Sequence, residues 1–177
     1  MKRKLPYTLG IIVLVMMGLV TSQAKAEKAK VYTIPSWTQT LSAGTRFIVL
    51  INMDSDAVLD KETGLVWQQS PSTGPLSWFF AQLQCNNLAV GNRKGWRMPT
   101  VQELASLVDP TQSNPALPAG HPFSNVQSSL YWSAATSVAD ASVAWVVDFG
   151  NGDVKLDNKS LFNGFWCVRG GQGVDPQ

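Results

Sequence analysis

The sequence predicts an α+β protein in which two helices pack on a small, mainly antiparallel sheet with long loops and one disulfide. Strand-like runs occur near both ends of the folded region, and helical periodicity is confined to the stretch between them. The hexapeptide Gly95-Trp96-Arg97-Met98-Pro99-Thr100 indicates a turn, a buried aromatic residue and a helix start. It lies between the only two cysteines, Cys85 and Cys167. This order is typical of helices that are segregated from an antiparallel sheet.

Residues 1–26 have the composition of a signal peptide. Lys2, Arg3 and Lys4 precede an apolar stretch over 9–20, and Ala24-Lys25-Ala26 matches the small-x-small pattern of a cleavage site. A transmembrane helix needs about 20 apolar residues, so an uncleaved anchor is the less favoured alternative. We therefore expect export to the periplasm, the cell surface or the medium, with no stable membrane span after cleavage.

The net charge depends on that cleavage. The full chain has 14 lysine and arginine residues against 12 acidic ones, a formal net charge of +2. Cleavage before Glu27 would remove four of the basic residues and leave a net charge of −2. This charge argues against a nucleic-acid partner, and also against strong non-specific attraction to heparin-like polymers.

The part of the chain that follows the predicted signal peptide has the size of one domain. We expect a lead-in over 27–50, anchored by Trp37, then a folded domain over 51–171 and a tail over 172–177. The lead-in contains a candidate strand, RFIVLI over 46–51. The runs 57–60 and 65–68 predict a hairpin that turns at Gly64. We expect a loop over 71–75, where two prolines occur.

Two helices are predicted next. The first spans 76–89, with an apolar face made of Trp78, Ala81, Leu83, Cys85 and Leu88. The second spans 100–108, where Thr100 and Glu103 form a capping box and Leu104, Leu107 and Val108 are apolar. A proline-rich loop of about 20 residues follows over 110–129, and loops of this length are often functional.

The last third of the chain predicts four strands, over 130–134, 143–149, 153–157 and 165–169. Six tryptophans fall inside predicted elements or motifs, which favours core positions for most of them: Trp67, Trp78, Trp96, Trp132, Trp145 and Trp166. An exposed tryptophan would instead be able to stack on a sugar.

The two cysteines lie 82 residues apart in a chain that is expected to be exported. One disulfide is the simplest interpretation, and two buried free thiols are the alternative. A disulfide would leave no thiol for nucleophilic chemistry.

A catalytic or metal site is hard to assemble from the remaining residues. His121 is the only histidine and lies in the long loop, without a Gly-x-Ser-x-Gly elbow elsewhere. A carboxylate pair such as Asp148 with Asp153 or Glu103 would be the signature of an enzyme, but Glu103 is already assigned to the helix cap. We therefore predict no catalytic residue.

Calcium is the one cofactor that the sequence suggests, and only weakly. Asn52, Asp54, Asp56 and Asp60 have the alternating spacing of a calcium loop, but the glycine and the bidentate glutamate of such a loop are missing. A solvated turn between strands is the favoured interpretation. Asp148, Asn151 and Asp153 surround a tight Gly150–Gly152 turn, where such side chains usually bind the backbone. We expect no metal site.

Several motifs resemble one known family. They are AVLDKETGLVW over 57–67, GWRMPTVQELASLVDP over 95–110, YWSAATS over 131–137, AWVVDFGNGDV over 144–154 and WCVRGG over 166–171. They resemble the C-terminal domain of bacterial Lcl, a group of collagen-like adhesins. The resemblance implies a C-type-lectin-like fold, related to the formylglycine-generating-enzyme group, with a disulfide from a helix to the last strand. It also implies binding of sulfated polysaccharides and host surfaces.

We accordingly expect an exported, non-enzymatic binding module that recognises an extracellular polysaccharide or a surface protein. Candidate ligand-binding residues lie before and within the last predicted strand: Lys155, Asn158, Lys159, Asn163 and Trp166. The alternative is a structural or assembly component of the cell envelope, in which RFIVLI would add a strand to the sheet of a protein partner.

Overall fold

A computed structural model of the protein describes residues 41–170. Its strands form two sheets rather than the single sheet that was predicted. The predicted signal peptide and Trp37 lie outside the described residues, as does most of the lead-in.

The first sheet has four antiparallel strands in the order β1-β2-β3-β9. A short helix, α1 (Ala43–Arg46), leads into β1 (Phe47–Val49), and a 3₁₀ turn (Ile51–Met53) follows. Strands β2 (Ala57–Asp60) and β3 (Val66–Gln68) form the predicted hairpin, and β9 (Val168–Arg169) completes the sheet. Gly64 turns the hairpin with a φ of 72°. The RFIVLI strand of the lead-in therefore pairs with the hairpin of its own chain.

The second sheet has five strands in the order β4-β8-β5-β6-β7. The bounds of its strands are β4 Ser72–Leu76, β5 Leu130–Thr136, β6 Val143–Asp148, β7 Val154–Asn158 and β8 Asn163–Phe165. Strand β8 is parallel to β5, and the other pairs are antiparallel. The prediction of a loop over 71–75 was wrong, because this segment pairs with β8 as β4.

The final predicted strand, 165–169, is divided between the two sheets. Phe165 ends β8 in the second sheet, and Val168 begins β9 in the first. Trp166 and Cys167 form the link between them, and both are fully buried. The sequence pattern cannot show that the chain passes from one sheet to the other here, because β8 and β9 are both extended and their apolar residues follow one another without a break.

Both predicted helices are present and shorter than expected. Helix α2 spans Trp78–Asn87 and buries Ala81 and Cys85, whereas Leu83 of the predicted apolar face is exposed. Helix α3 spans Val101–Ala105, and Thr100 and Glu103 form the predicted capping box. The apolar side chains of Leu104 and Leu107 are fully buried.

The core consists of two clusters of buried side chains. One is centred on Trp166, whose ring contacts Trp67, Phe123 and Phe149 edge-on or tilted, at centroid distances of 4.8 to 5.8 Å. The other contains Trp96, Trp132 and the two cysteines. Trp78 and Trp145 are half-buried, so four of the six tryptophans that were expected in the core are fully enclosed.

The predicted disulfide between Cys85 and Cys167 is confirmed. It joins α2 to the link between β8 and β9, one residue before the last strand. Gln68 holds the same link, because its side chain accepts the Cys167 N–H at 2.9 Å and its carbonyl accepts the Trp166 ring N–H at 2.8 Å. The point at which the chain changes sheets is thus fixed by a covalent bond and by hydrogen bonds.

Candidate ligand-binding surface

The connection between β7 and β8, residues 158–163, is a tightly hydrogen-bonded turn. The side-chain oxygen of Asn158 accepts the Ser160 N–H at 3.0 Å and its hydroxyl at 2.7 Å. The Leu161 N–H donates to the Asn158 carbonyl at 2.9 Å. Asparagine and serine favour such local bonds to the backbone, which explains why this sequence turns here. Asn158, a predicted ligand-binding residue, thus has a structural role within the turn.

Lys159 and Asn163 lie in the same turn and are held by neighbouring elements. The Lys159 ammonium lies 4.2 Å from the centroid of the Trp78 ring and 2.8 Å from the Thr136 hydroxyl. The Asn163 amide donates to the Asp157 carboxylate at 2.7 Å. Because a carboxylate only accepts hydrogen bonds, this contact leaves the Asn163 carbonyl oxygen directed elsewhere.

Lys155, on the edge strand β7, binds carboxylates of its own chain. Its ammonium lies 2.9 Å from Asp148 and 3.6 Å from Asp153. The hydrogen bond from Lys155 is the main cause that lowers the pKa of Asp148, and it raises the pKa of Lys155 in return. Asp148 also accepts the Gly150 N–H, and Asn151 accepts that of Asp153, so these side chains serve the turn as expected.

Trp166 does not share this surface. Its side chain is fully buried in the centre of the first core cluster. A ring enclosed by other aromatic rings is out of reach of a ligand at the surface. Of the five predicted ligand-binding residues, four therefore lie on β7 or the turn after it, and Trp166 belongs to the core.

Three exposed phenylalanine side chains, which were not predicted, lie in the turn and at the start of α2. Phe162 at the end of the turn is 67% exposed, and Phe79 and Phe80 in the first turn of α2 are 62% and 56% exposed. The Trp78 N–H donates to the Lys159 carbonyl at 3.1 Å, which brings the start of α2 against the turn. For Phe79 and Phe80, the sequence signal was that both lie in the predicted helix over 76–89 but outside its predicted apolar face.

A groove of about 230 Å³ opens beside Phe162. Strand β4 contributes Ser72 and Pro75 to its walls, and the loop before β5 contributes Gln127. Gly164 and the buried Tyr131 also line it. A Cβ atom on Gly164 would lie 3.0 Å from the Tyr131 ring, so glycine allows β8 to approach that ring. Asn163 lines the groove as well, which connects it to the turn.

Asp60, one of the four residues with the spacing of a calcium loop, is engaged inside the protein. Asp60 is fully buried and accepts two hydrogen bonds from Arg46, at 2.9 and 2.7 Å. The Arg46 guanidinium also donates to the Ser106 carbonyl at 2.9 Å and lies 3.2 Å from Glu62. Within residues 41–170, no group of three or more histidine, cysteine or acidic side chains is placed to hold a metal ion.

Glu103 completes the capping box that Thr100 begins at the start of α3, and it also forms an ion pair. Its two oxygens each accept a hydrogen bond from Arg97 at 2.8 Å, and one also accepts the Thr100 N–H. Burial raises the pKa of Glu103, but the hydrogen bonds from Arg97 and Thr100 outweigh it, so the pKa is lowered. His121 is half-buried in the long loop, and this burial lowers its pKa.

Comparison with known families gives one match. The model of the family described as the Lcl C-terminal domain matches residues 56–169. No curated protein matches the chain. Within the described range, the chain has no helix of sufficient length and hydrophobicity to cross a bilayer.

Proposed function

The chain belongs to the Lcl C-terminal domain family, and we propose that it is an exported, non-enzymatic module that binds an extracellular polysaccharide or another surface ligand. The binding surface in this proposal is the turn over 158–163 with the first turn of α2 and the adjacent groove. We call these residues the turn surface.

The observation that carries the proposal is the exposure of three phenylalanine rings, one in the turn and two at the start of α2, which a backbone hydrogen bond joins to the turn. Clustered exposed apolar side chains that are rimmed by polar residues are typical of interaction sites. Phe162 lines the groove together with Asn163, and the rings of Phe79 and Phe80 contact each other with centroids 5.6 Å apart. Aromatic rings beside amide groups suit a sugar, which offers both apolar C–H faces and hydroxyl groups.

The absence of enzymatic activity is part of the proposal, and it is supported by the commitments of the reactive side chains. Both cysteines are consumed in the disulfide. Asp60 and Glu103 are bound by arginines that neutralise them, and Asp148 is bound by Lys155. The pKa values of Glu103 and Asp148 are lowered by these hydrogen bonds, and a carboxylate with a lowered pKa is a poor general base.

We also propose a C-type-lectin-like arrangement and an oxidising compartment. The disulfide supports both, because it ties a helix to the residue that precedes the last strand and because such bonds persist mainly in exported proteins. An experimental structure compared with lectin domains, and fractionation of cells that express the full chain, would test these two points.

A glycan screen tests the proposed function. The protein, purified after export from expressing cells, is applied to a panel of neutral, acidic and sulfated glycans with and without EDTA. We expect binding to at least one glycan class, unchanged by EDTA. Loss of binding in EDTA would indicate that a divalent cation such as calcium is required for binding. Failure to bind any glycan at high protein concentration would contradict the polysaccharide proposal.

The alternative, an assembly component of the envelope that binds a protein partner, is favoured by the outer face of α2. Phe80 and Leu83 are exposed there, one helical turn apart. Photo-crosslinking in the exported chain tests it, with a benzoylphenylalanine at position 83 and the same probe at position 138 as control. One discrete protein adduct from position 83 alone would support a protein partner, and no adduct would argue against it.

A further inference from the structure

We propose that the groove beside Phe162 is a subsite for one uncharged, hydroxyl-rich sugar unit, and that it does not accept a sulfate or a carboxylate. This inference deepens the proposed function and rests on it. It concerns the groove alone. The lining of the groove is uncharged, whereas two of the ligand contacts that the sequence suggested, Lys155 and Lys159, are cationic.

The walls of the groove carry no formal charge. All of the described residues that line it are apolar or neutral polar ones, among them Ser72, Gln127 and Asn163. An anionic group that entered the groove would lose hydration without gaining an ion pair, which is unfavourable. Asp157, whose carboxylate holds Asn163 at 2.7 Å, adds negative charge near the entrance. Both features disfavour an anion.

The two amide side chains of the groove each use their nitrogen in a hydrogen bond within the chain. The Asn163 amide nitrogen donates to Asp157, and the Gln127 amide nitrogen donates to the Asn125 carbonyl at 3.1 Å. Because both partners only accept, neither bond uses an amide oxygen, and each amide keeps its acceptor. A hydroxyl group can donate to these oxygens, whereas a sulfate or carboxylate has only acceptor atoms.

The apolar side of the groove suits the C–H face of a sugar ring. Phe162 and Pro75 are both exposed at its edge. The hydrogen bond from the Leu161 N–H to the Asn158 carbonyl fixes the backbone just before Phe162. The binding of a ligand to the ring therefore costs little backbone conformational entropy. A volume of about 230 Å³ is below the roughly 300 to 1,000 Å³ of drug-sized pockets, and it fits one ring of a longer chain.

Affinity electrophoresis tests the subsite. The exported protein is run in native gels that contain soluble xylan, dextran or hydroxyethylcellulose, with heparin as the sulfated probe. We expect retardation by at least one neutral polymer. We expect Phe162→Ala and Gln127→Ala each to weaken it about tenfold, because each removes one contact of the hot-spot class. Ile51→Ala is the matched control, since Ile51 is exposed, apolar and remote from the groove lining.

The outcomes separate the inference from the proposed function. Retardation by heparin alone, abolished by Lys155→Gln or Lys159→Gln, would overturn the neutral subsite and keep the polysaccharide function. Neutral binding that survives both groove substitutions would also overturn the subsite. Binding of a proline-rich peptide in fluorescence titration, together with no retardation by any polymer, would overturn both. Thermal unfolding of each variant confirms that the fold is retained.

Discussion

The link between β8 and β9 and the turn between β7 and β8 lie only three residues apart in sequence, and they differ in almost every physical respect. In the link, Trp166 and Cys167 are fully buried, and each is held by Gln68. In the turn, Phe162 is 67% exposed although it is as apolar as the rings of the core. The same kind of side chain is enclosed in one region and open to solvent in the other.

Under the proposed function, stability and binding therefore belong to separate residues. Buried rings and the disulfide hold the two sheets together, so substitutions there should change the free energy of unfolding. The rings of the turn surface gain little from folding, so substitutions there should change binding alone.

Loss of the disulfide should have the largest effect on stability. The bond closes a loop of 82 residues, for which the chain-entropy model gives about 4.5 kcal/mol. Cys85→Ser and Cys167→Ser should each lower the free energy of unfolding by nearly as much as the double substitution, because either one removes the bond. Urea unfolding measures the effect. Two reactive thiols in the denatured, unreduced protein would contradict the bond.

Asp60→Asn should lower the free energy of unfolding by about 1.5 to 3 kcal/mol, since it removes the bidentate partner of the buried Arg46 charge and leaves Glu62 as the neighbouring carboxylate. The matched control is Lys155→Gln, which breaks an exposed ion pair and should change the unfolding free energy little.

A shortened chain that begins at Asp54 lacks Arg46 and β1, and should be destabilised similarly. Equal stability of the shortened and full chains would contradict a structural role for this pair.

Glu103→Gln should lower the free energy of unfolding by about 1 kcal/mol at neutral pH, as it weakens a helix cap and an ion pair. In the folded state, the hydrogen bonds from Arg97 and Thr100 hold the pKa of Glu103 below its ordinary value of 4.5. The unfolded chain therefore takes up the proton first, and the contribution is present above about pH 4.5 and lost as the pH falls below it. The difference between wild type and variant should shrink over that range. A constant difference would exclude the ion pair as its source.

Phe79→Ser, Phe80→Ser and Phe162→Ser should each change the free energy of unfolding by less than about 0.5 kcal/mol. These rings are more than half exposed and bury little apolar surface. Phe123→Ser, in the core cluster around Trp166, is the contrasting variant and should cost about 3 kcal/mol or more. A loss of that size from the turn variants would show that their rings are packed in solution.

Much of the fold could be predicted from sequence because local signals determine it. The capping box at Thr100, the hairpin turn at Gly64 and the disulfide of two cysteines all depend on residues whose chemistry allows few alternatives. The division into two sheets was not predictable in this way. It depends on long-range pairing, such as that of β4 with β8, and a segment with two prolines gives no local indication of it.

The candidate site was only partly predictable for a related reason. Polar residues around 155–163 indicated the right region, but the tryptophan chosen with them is buried, and the exposed rings are phenylalanines. Residue type alone does not determine exposure, because tryptophan and phenylalanine both occur in cores and at binding sites. The groove itself joins residues of β4, of the loop before β5 and of β8, which only the folded chain brings together.

Mapping of backbone amide shifts in isotope-labelled protein tests the turn surface most directly. The exported protein is titrated with neutral oligosaccharides derived from xylan, dextran and cellulose. We expect shifts confined to residues 72–81, 127–131 and 158–164, with the amide of the buried Trp166 unchanged. Shifts centred instead on the 52–60 segment, or no shift with any neutral sugar while heparin shifts the amides near Lys155, would contradict the account.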